Sequence, residues 1–96
     1  MKEELFFKLS QIIRDRKKNL PKDSYVAKLF KKGKVKIANK LGEEAVETIT
    51  AYLYEGKKEV LEESADLMFH LLVLLEDSNL TIEDVEKTLK RRMKND

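Results

Sequence analysis

The sequence contains no cysteine, a single proline and only three glycines among its 96 residues. The fold therefore cannot depend on disulfide bonds, and few residues are available to interrupt helices. A long hydrophobic run is also missing, because the most apolar segment, residues 67–75, is too short to span a bilayer and contains His70. The first residues, Met1-Lys2-Glu3-Glu4, do not resemble a signal peptide. We expect one domain over residues 1–96 in the cytoplasm, with no membrane partner.

The sequence also lacks an excess of charge of one sign. Charged residues make up 40% of the chain, yet the formal net charge is only +2. This balance is typical of a solvated surface and not of a protein whose partner is a nucleic acid. The basic clusters Lys31-Lys32-Gly33-Lys34 and Lys90-Arg91-Arg92 leave a non-enzymatic helical dimerisation or nucleic-acid-binding module as one alternative. The near-zero net charge argues against that alternative.

Apolar residues that recur at spacings of three and four predict an all-α fold. No strand pattern, internal repeat or low-complexity linker interrupts this periodicity. We expect five helices, over about residues 3–18, 24–32, 34–55 and 58–77 and a last one that begins after residue 81.

The ends of these helices have their own signals. Ser24 and Thr81 are suited to cap the second and fifth helices, and Gly33 permits a sharp turn after the second. Leu89 is expected to face inward from the fifth helix. Since the apolar faces are wider than one small domain can cover, we expect a bundle of four to five helices completed by homodimerisation.

An unusual acidic cluster lies in the middle of the third predicted helix. Glu43, Glu44 and Glu47 fall there, and Glu44 and Glu47 share a face with Lys40. An unpaired carboxylate at the edge of a core is costly, so this face requires a counter-charge. The neighbouring half of the helix is predicted to be apolar and is formed by Ile37, Leu41, Ala45, Ile49 and Tyr52.

Gly42 is a second unusual residue of this helix. Glycine in a helix interior costs about 1 kcal/mol relative to alanine. We therefore hypothesise that a backbone or a ligand comes close to Gly42.

The fourth predicted helix carries Glu63, Asp66 and His70 on one stripe. Because a tight connection at Gly56 joins it to the third helix, the two are expected to be antiparallel neighbours. Glu44 and Glu47 precede Gly56 by about as many residues as Glu63 and Asp66 follow it, so the four carboxylates lie at matching heights. Four oxygen ligands favour Mg²⁺ or Mn²⁺, and such ions usually accompany a phosphorylated substrate. The plainer alternative is a solvated acidic face with ordinary Glu/Lys pairs.

Glu43-Glu44-x-x-Glu47 followed by Glu63-x-x-Asp66 resembles the E-E-x-x-E…E-x-x-D signature of the MazG-like all-α NTP pyrophosphatases. The surrounding residues are more specific, and nearly the whole chain resembles the phosphoribosyl-ATP pyrophosphatase family of histidine biosynthesis. The segments that carry this resemblance are Ser24-Tyr25-Val26-Ala27-Lys28-Leu29, Lys36-Ile37-Ala38, Lys40-Leu41-Gly42-Glu43-Glu44 and residues 65–75.

The resemblance implies an α-helical homodimer that hydrolyses phosphoribosyl-ATP to phosphoribosyl-AMP and pyrophosphate with Mg²⁺, the second step of histidine biosynthesis. Glu44, Glu47, Glu63 and Asp66 would bind the metal. Glu43 fits worse on geometry and is included through the family motif, for a second metal or for orienting water. A housecleaning pyrophosphatase for noncanonical nucleotides, with the same metal site and a different base pocket, is the enzymatic alternative.

The sequence also contains candidate substrate-binding residues; the resemblance favours this role for Lys40, and the sequence pattern alone offers simpler interpretations. Lys40 would contact a phosphate, although its spacing favours an ion pair with Glu43 or Glu44. Tyr25 would stack on a base, although its position favours the core. His70 in an apolar run is more often a packed, hydrogen-bonded core residue than a catalytic one. Weaker phosphate candidates, in a chain with 20 basic residues, are Lys28, Lys36, Arg91 and Arg92.

Overall fold

Helices account for most of the chain in the computed structural model, which describes residues 2–94, with side chains from residue 5 onward. The described residues contain no strand, so the all-α prediction is confirmed. None of their helices is long and apolar enough to cross a membrane. The observed helices, whose ends agree with the predicted ones to within one or two residues, are α1 Lys2–Asn19, α2 Tyr25–Lys32, α3 Lys34–Tyr54, α4 Lys57–Asp77 and α5 Ile82–Met93.

The predicted capping residues occupy the helix ends. Ser24 caps α2, and its Oγ accepts the Ala27 N–H at 3.1 Å. Gly33 separates α2 from α3 with a φ of 97°, a left-handed conformation that favours glycine. Thr81 and Asp84 form a capping box at the start of α5, in which each side chain accepts the other residue's backbone N–H. These local signals therefore fix where α2, α3 and α5 begin.

The carboxyl-terminal half of α4 forms the centre of the core. Leu72 and Val73 are almost fully buried, and Ile13 of α1 packs into the same cluster. This agrees with the prediction that α4 lies in the middle of the bundle or in a contact between subunits. The buried residues contributed by α2 and α3 are Val26, Leu29 and Ile37.

Several residues predicted to face inward are exposed. Leu89 is 54% exposed, because α5 packs on the core only through Ile82 and Val85 at its first turn. Ile49 and Tyr52 are 57% and 76% exposed. The predicted apolar face of α3 is therefore wrong in part, since α2 and α4 cover its other side and leave these two residues uncovered.

An ion pair between exposed Arg14 and buried Glu76 links α1 to the end of α4. Arg14 Nε and Nη2 donate to the two carboxylate oxygens of Glu76, each at 3.0 Å. Lys17 Nζ donates to the Glu76 carbonyl at 2.9 Å. The hydrogen bond to buried Glu76 and its charge raise the pKa of Arg14. This bidentate pair satisfies a carboxylate that would be costly to bury alone.

Candidate metal centre

The α3–α4 hairpin brings carboxylates from both helices together. Glu59 accepts the Gly56 N–H at 3.1 Å and caps α4 directly after the turn, so Glu59 is not part of the acidic cluster. Glu44 on α3 then lies opposite Glu63 and Asp66 on α4. Each of these three residues offers a carboxylate oxygen, and the three oxygens lie within 4.8 Å of one another.

The environment of these oxygens is deficient in positive charge. Glu44 is only 7% exposed, and its Oε1 has no hydrogen-bond partner among the described residues. Oε1 of Glu63 is likewise inaccessible and unpaired. The nearest cation to Glu44 is Lys40, whose Nζ lies 3.8 Å from Oε2. Since buried carboxylate oxygens in proteins are normally paired, these two atoms point to a ligand.

The pKa of Glu63 shows most directly that it is unfavourable to bring these carboxylates together. Burial raises this pKa, and the adjacent carboxyl group of Glu47 and the negative charges of Asp66 and Glu44 raise it further. A divalent cation bound among the carboxylates would reverse these effects, because it favours their charged forms. The three converging oxygens and the two unpaired ones therefore fit a metal ion, and Glu44, Glu63 and Asp66 could hold it.

The other two predicted acidic residues lie beside this cluster. Glu47 is exposed on α3, and its carboxyl group interacts with that of Glu63. Glu43 is also exposed and accepts a hydrogen bond from Lys40 Nζ at 3.3 Å. That hydrogen bond is the main reason that the pKa of Lys40 is raised. The ion pair that the spacing favours for Lys40 is therefore present.

His70 holds Tyr25 next to the cluster. Nδ1 of His70 lies 2.8 Å from the Asp66 carbonyl oxygen, and Nε2 lies 2.8 Å from the Tyr25 hydroxyl. A carbonyl can only accept, so Nδ1 carries the proton and the Tyr25 hydroxyl donates to Nε2. His70 is thus a buried, hydrogen-bonded residue that supports Tyr25 and not the Asp66 carboxylate.

Tyr25 differs from the prediction that placed it in the core. Its side chain is 48% exposed, and its ring stacks on Phe69 with the centroids 6.5 Å apart. The hydroxyl nevertheless lies in a partly desolvated position, and burial is the main cause that raises its pKa.

The predicted lysines line a cavity of about 220 Å³ between α2 and α3. Lys28, Lys36 and Lys40 all contribute to it, together with Tyr25. Lys32 is a further lining residue that sequence reasoning counted only within a basic cluster. The sequence signal that could have identified Lys32 is its spacing of four residues from both Lys28 and Lys36. Arg91 lines a different cavity, on α5.

Gly42 has open space beside it. No neighbouring heavy atom of the described residues lies within 4 Å of the position that a Cβ would take, apart from the backbone of its own helix. Nothing within the described part of the chain therefore approaches Gly42 closely. The hypothesis of a close approach stays a prediction for a ligand or a second chain.

Comparison with known proteins identifies several similar chains. The family described as phosphoribosyl-ATP pyrophosphohydrolase matches residues 6–93. A phosphoribosyl-ATP pyrophosphatase of Metallosphaera sedula is 50% identical over 86 residues, which cover 90% of this chain and 92% of that protein. A protein of the same name from Pyrobaculum aerophilum is 50% identical over 91 residues, covering 95% and 97%. A histidine biosynthesis bifunctional protein of Thermotoga maritima is 47% identical over 89 residues, and this chain spans only 45% of its length.

Proposed function

The chain belongs to the phosphoribosyl-ATP pyrophosphohydrolase family, and from that premise we propose that it hydrolyses phosphoribosyl-ATP between the α and β phosphates. The products are phosphoribosyl-AMP and pyrophosphate, in the second step of histidine biosynthesis. The observation that carries this proposal is the convergence of Glu44, Glu63 and Asp66 on one point at the α3–α4 hairpin. Because the substrate is a highly charged nucleotide that cannot diffuse through a membrane, the proposal includes a cytoplasmic location.

The proposed cofactor is Mg²⁺, held by Glu44, Glu63 and Asp66 with Glu47 at the edge of the set. Mg²⁺ prefers carboxylate oxygens and substrate phosphates, and no sulfur ligand is available in a chain without cysteine. When bound, the ion would offset the charge of the phosphates and lower the pKa of water.

The protein's own residues supply orientation around the reacting bond. Glu43 binds Lys40 and keeps its ammonium group beside Glu44, where it can meet a phosphate oxygen. His70 fixes the Tyr25 hydroxyl at the border between the carboxylates and the lysine-lined cavity. Overall, one water molecule is consumed and one phosphorus–oxygen bond breaks, so the reaction requires no oxidant or second substrate.

The proposal is tested by offering the purified protein phosphoribosyl-ATP and a panel of ordinary and noncanonical NTPs. We expect pyrophosphate release from phosphoribosyl-ATP to be far faster than from any NTP. Faster hydrolysis of a noncanonical NTP would instead identify a housecleaning enzyme with the same metal site.

Amide variants test the roles of the carboxylates. E47Q and D66N should abolish turnover and leave the helix content measured by circular dichroism unchanged. E62Q is the matched control, because Glu62 is an exposed neighbour of Glu63 that does not belong to the cluster. Near-normal turnover of D66N would rule out the proposed metal ligands, and near-normal turnover of E47Q would exclude Glu47 from the set.

We also propose that the protein forms a homodimer. Val46, Ile49 and Leu53 form an exposed stripe on α3 with spacings of three and four, and Leu61 and Met68 are exposed on neighbouring α4. A twofold axis allows such a face to pack on its own copy, which removes apolar side chains from water. Sedimentation should show a dimer that I49E dissociates. A monomeric wild-type protein at the concentration of the activity assay would contradict this part of the proposal.

A further inference from the structure

The lysine-lined cavity between α2 and α3 has a composition that the metal centre does not explain. Lys28 and Lys32 lie four residues apart on α2, and Lys36 and Lys40 lie four residues apart on α3. Gly33 joins the two helices through a single left-handed residue, and the four lysine side chains line one volume of about 220 Å³. We call this cavity the lysine groove.

The groove carries a surplus of positive charge. Among the described residues only Lys40 of the four forms ion pairs, with Glu43 and Glu44. Lys28, Lys32 and Lys36 have no acidic partner there, although two of the groove's four lysines, Lys36 and Lys40, are partly buried. Like charges around a shared cavity repel one another, and a bound polyanion would relieve that repulsion. The chemistry of the groove therefore suits a ligand with several phosphate oxygens.

The groove and the metal centre are continuous. Lys40 lines the groove while its Nζ lies 3.8 Å from Glu44 Oε2. Tyr25 lines the groove while its hydroxyl donates to His70, which is itself hydrogen-bonded to the Asp66 backbone. A chain of phosphates held at the carboxylates would therefore extend directly into the lysine groove.

We propose that the lysine groove binds the β- and γ-phosphates of the substrate, the part that leaves as pyrophosphate, with Lys32 and Lys36 as binding residues. This inference rests on the proposed function. The groove is lined by Lys28, Lys32, Lys36 and Lys40 together with Tyr25 and Leu29, so its distinguishing feature is the number of positive charges around one volume. The leaving diphosphate carries three to four negative charges, which matches these lysines.

The test is the binding of inorganic pyrophosphate measured by calorimetry in the presence of Mg²⁺. K32M and K36M remove the charge and retain most of the apolar stem of the side chain. Each should weaken binding of pyrophosphate by roughly tenfold, as expected for the loss of one charge-assisted hydrogen bond. K32R and K36R should bind nearly as well as the wild type.

The matched controls are K31M and K34M, which remove exposed lysines next to the groove that do not line it. We expect them to bind pyrophosphate as the wild type does. Equal affinity of all four methionine variants would overturn the inference. A raised KM for phosphoribosyl-ATP with unchanged pyrophosphate affinity would also overturn it, since the groove would then hold the phosphate of the phosphoribosyl group. Turnover of phosphoribosyl-ATP by the wild type is measured separately, so a failure of the proposed function is seen independently of pyrophosphate binding.

Discussion

Replacing Glu44 by glutamine should stabilise the metal-free protein while destroying its function. Glu44 is 7% exposed, and oxygens of two other carboxylates lie within 4.8 Å of its own, whereas the one cation that pairs with it among the described residues, Lys40, is 3.8 Å away. With Coulomb's law at 4.8 Å for both repulsions and an effective dielectric constant of about 20, the two repulsions exceed the one attraction by about 2.5 kcal/mol, and at about 80 by about 0.6 kcal/mol. E44Q also removes the charge from a side chain whose Oε1 is buried without a partner.

The expected result of E44Q is therefore a gain of about 0.6–2.5 kcal/mol in the free energy of unfolding without metal. For a domain of this size the melting temperature should rise by at least ~3 °C. Saturating Mg²⁺ reverses the order, because a ligand at about 100 times its Kd stabilises the wild type by about 2.7 kcal/mol and E44Q binds it poorly.

The assay is thermal unfolding followed by circular dichroism, in EDTA and in Mg²⁺. E43Q serves as the control, since Glu43 is exposed and pairs only with Lys40, so its melting temperature should change little. A lower stability of E44Q than of the wild type in EDTA would refute the electrostatic reasoning. An equal gain of both proteins from Mg²⁺ would refute the assignment of Glu44 as a ligand.

Three further predictions concern the Arg14–Glu76 ion pair, the α5 cap and Gly42. R14M should lower the free energy of unfolding by about 1–2 kcal/mol, because it leaves buried Glu76 unpaired; an unchanged urea midpoint would contradict this. T81A should cost about 1 kcal/mol through loss of the α5 cap. Since the hydrogen bond from the Thr81 backbone lowers the pKa of Asp84, the contribution of this cap is present above the ordinary aspartate pKa and is lost as the pH falls through the lowered value. D84N should remove this dependence of stability on acid pH. If the stability of D84N varied with pH as that of the wild type does, the prediction would be wrong. G42A should gain about 1 kcal/mol in helix stability, and full activity of this variant would dispose of the close approach inferred for Gly42.

The helices and half of the site could be predicted from local sequence. Ser24, Gly33 and Thr81 act on their own neighbours, so the positions of helix ends follow from the residues themselves. The meeting of Glu44 with Glu63 and Asp66 follows from counting residues on either side of the Gly56 turn at a fixed helical rise.

Contacts across the bundle could not be predicted in this way. Arg14 and Glu76 are separated by 62 residues, and Tyr25 and His70 by 45. Helical periodicity gives the face on which a residue lies but not the helix that covers that face. For the same reason Ile49 and Tyr52 have the pattern of core residues and are exposed within a single chain.

We ascribe the unfavourable electrostatics of the acidic cluster to its proposed role in binding a metal. Glu63 has a raised pKa because burial and neighbouring carboxylates disfavour its charge, and an ion of opposite charge would remove that penalty only when bound. The lysine groove has a surplus of positive charge and adjoins the cluster through Lys40. The two charged regions complement a divalent cation and a polyanion respectively, and each is expected to become more stable when such a ligand binds.

We propose that the converging carboxylates support metal-dependent hydrolysis of phosphoribosyl-ATP. The most direct test is the rate of pyrophosphate release from phosphoribosyl-ATP by the wild type and by D66N, each with Mg²⁺ and with EDTA. We expect rapid release only by the wild type in Mg²⁺, with phosphoribosyl-AMP as the other product. Release at the same rate in EDTA, or by D66N in Mg²⁺, would contradict it.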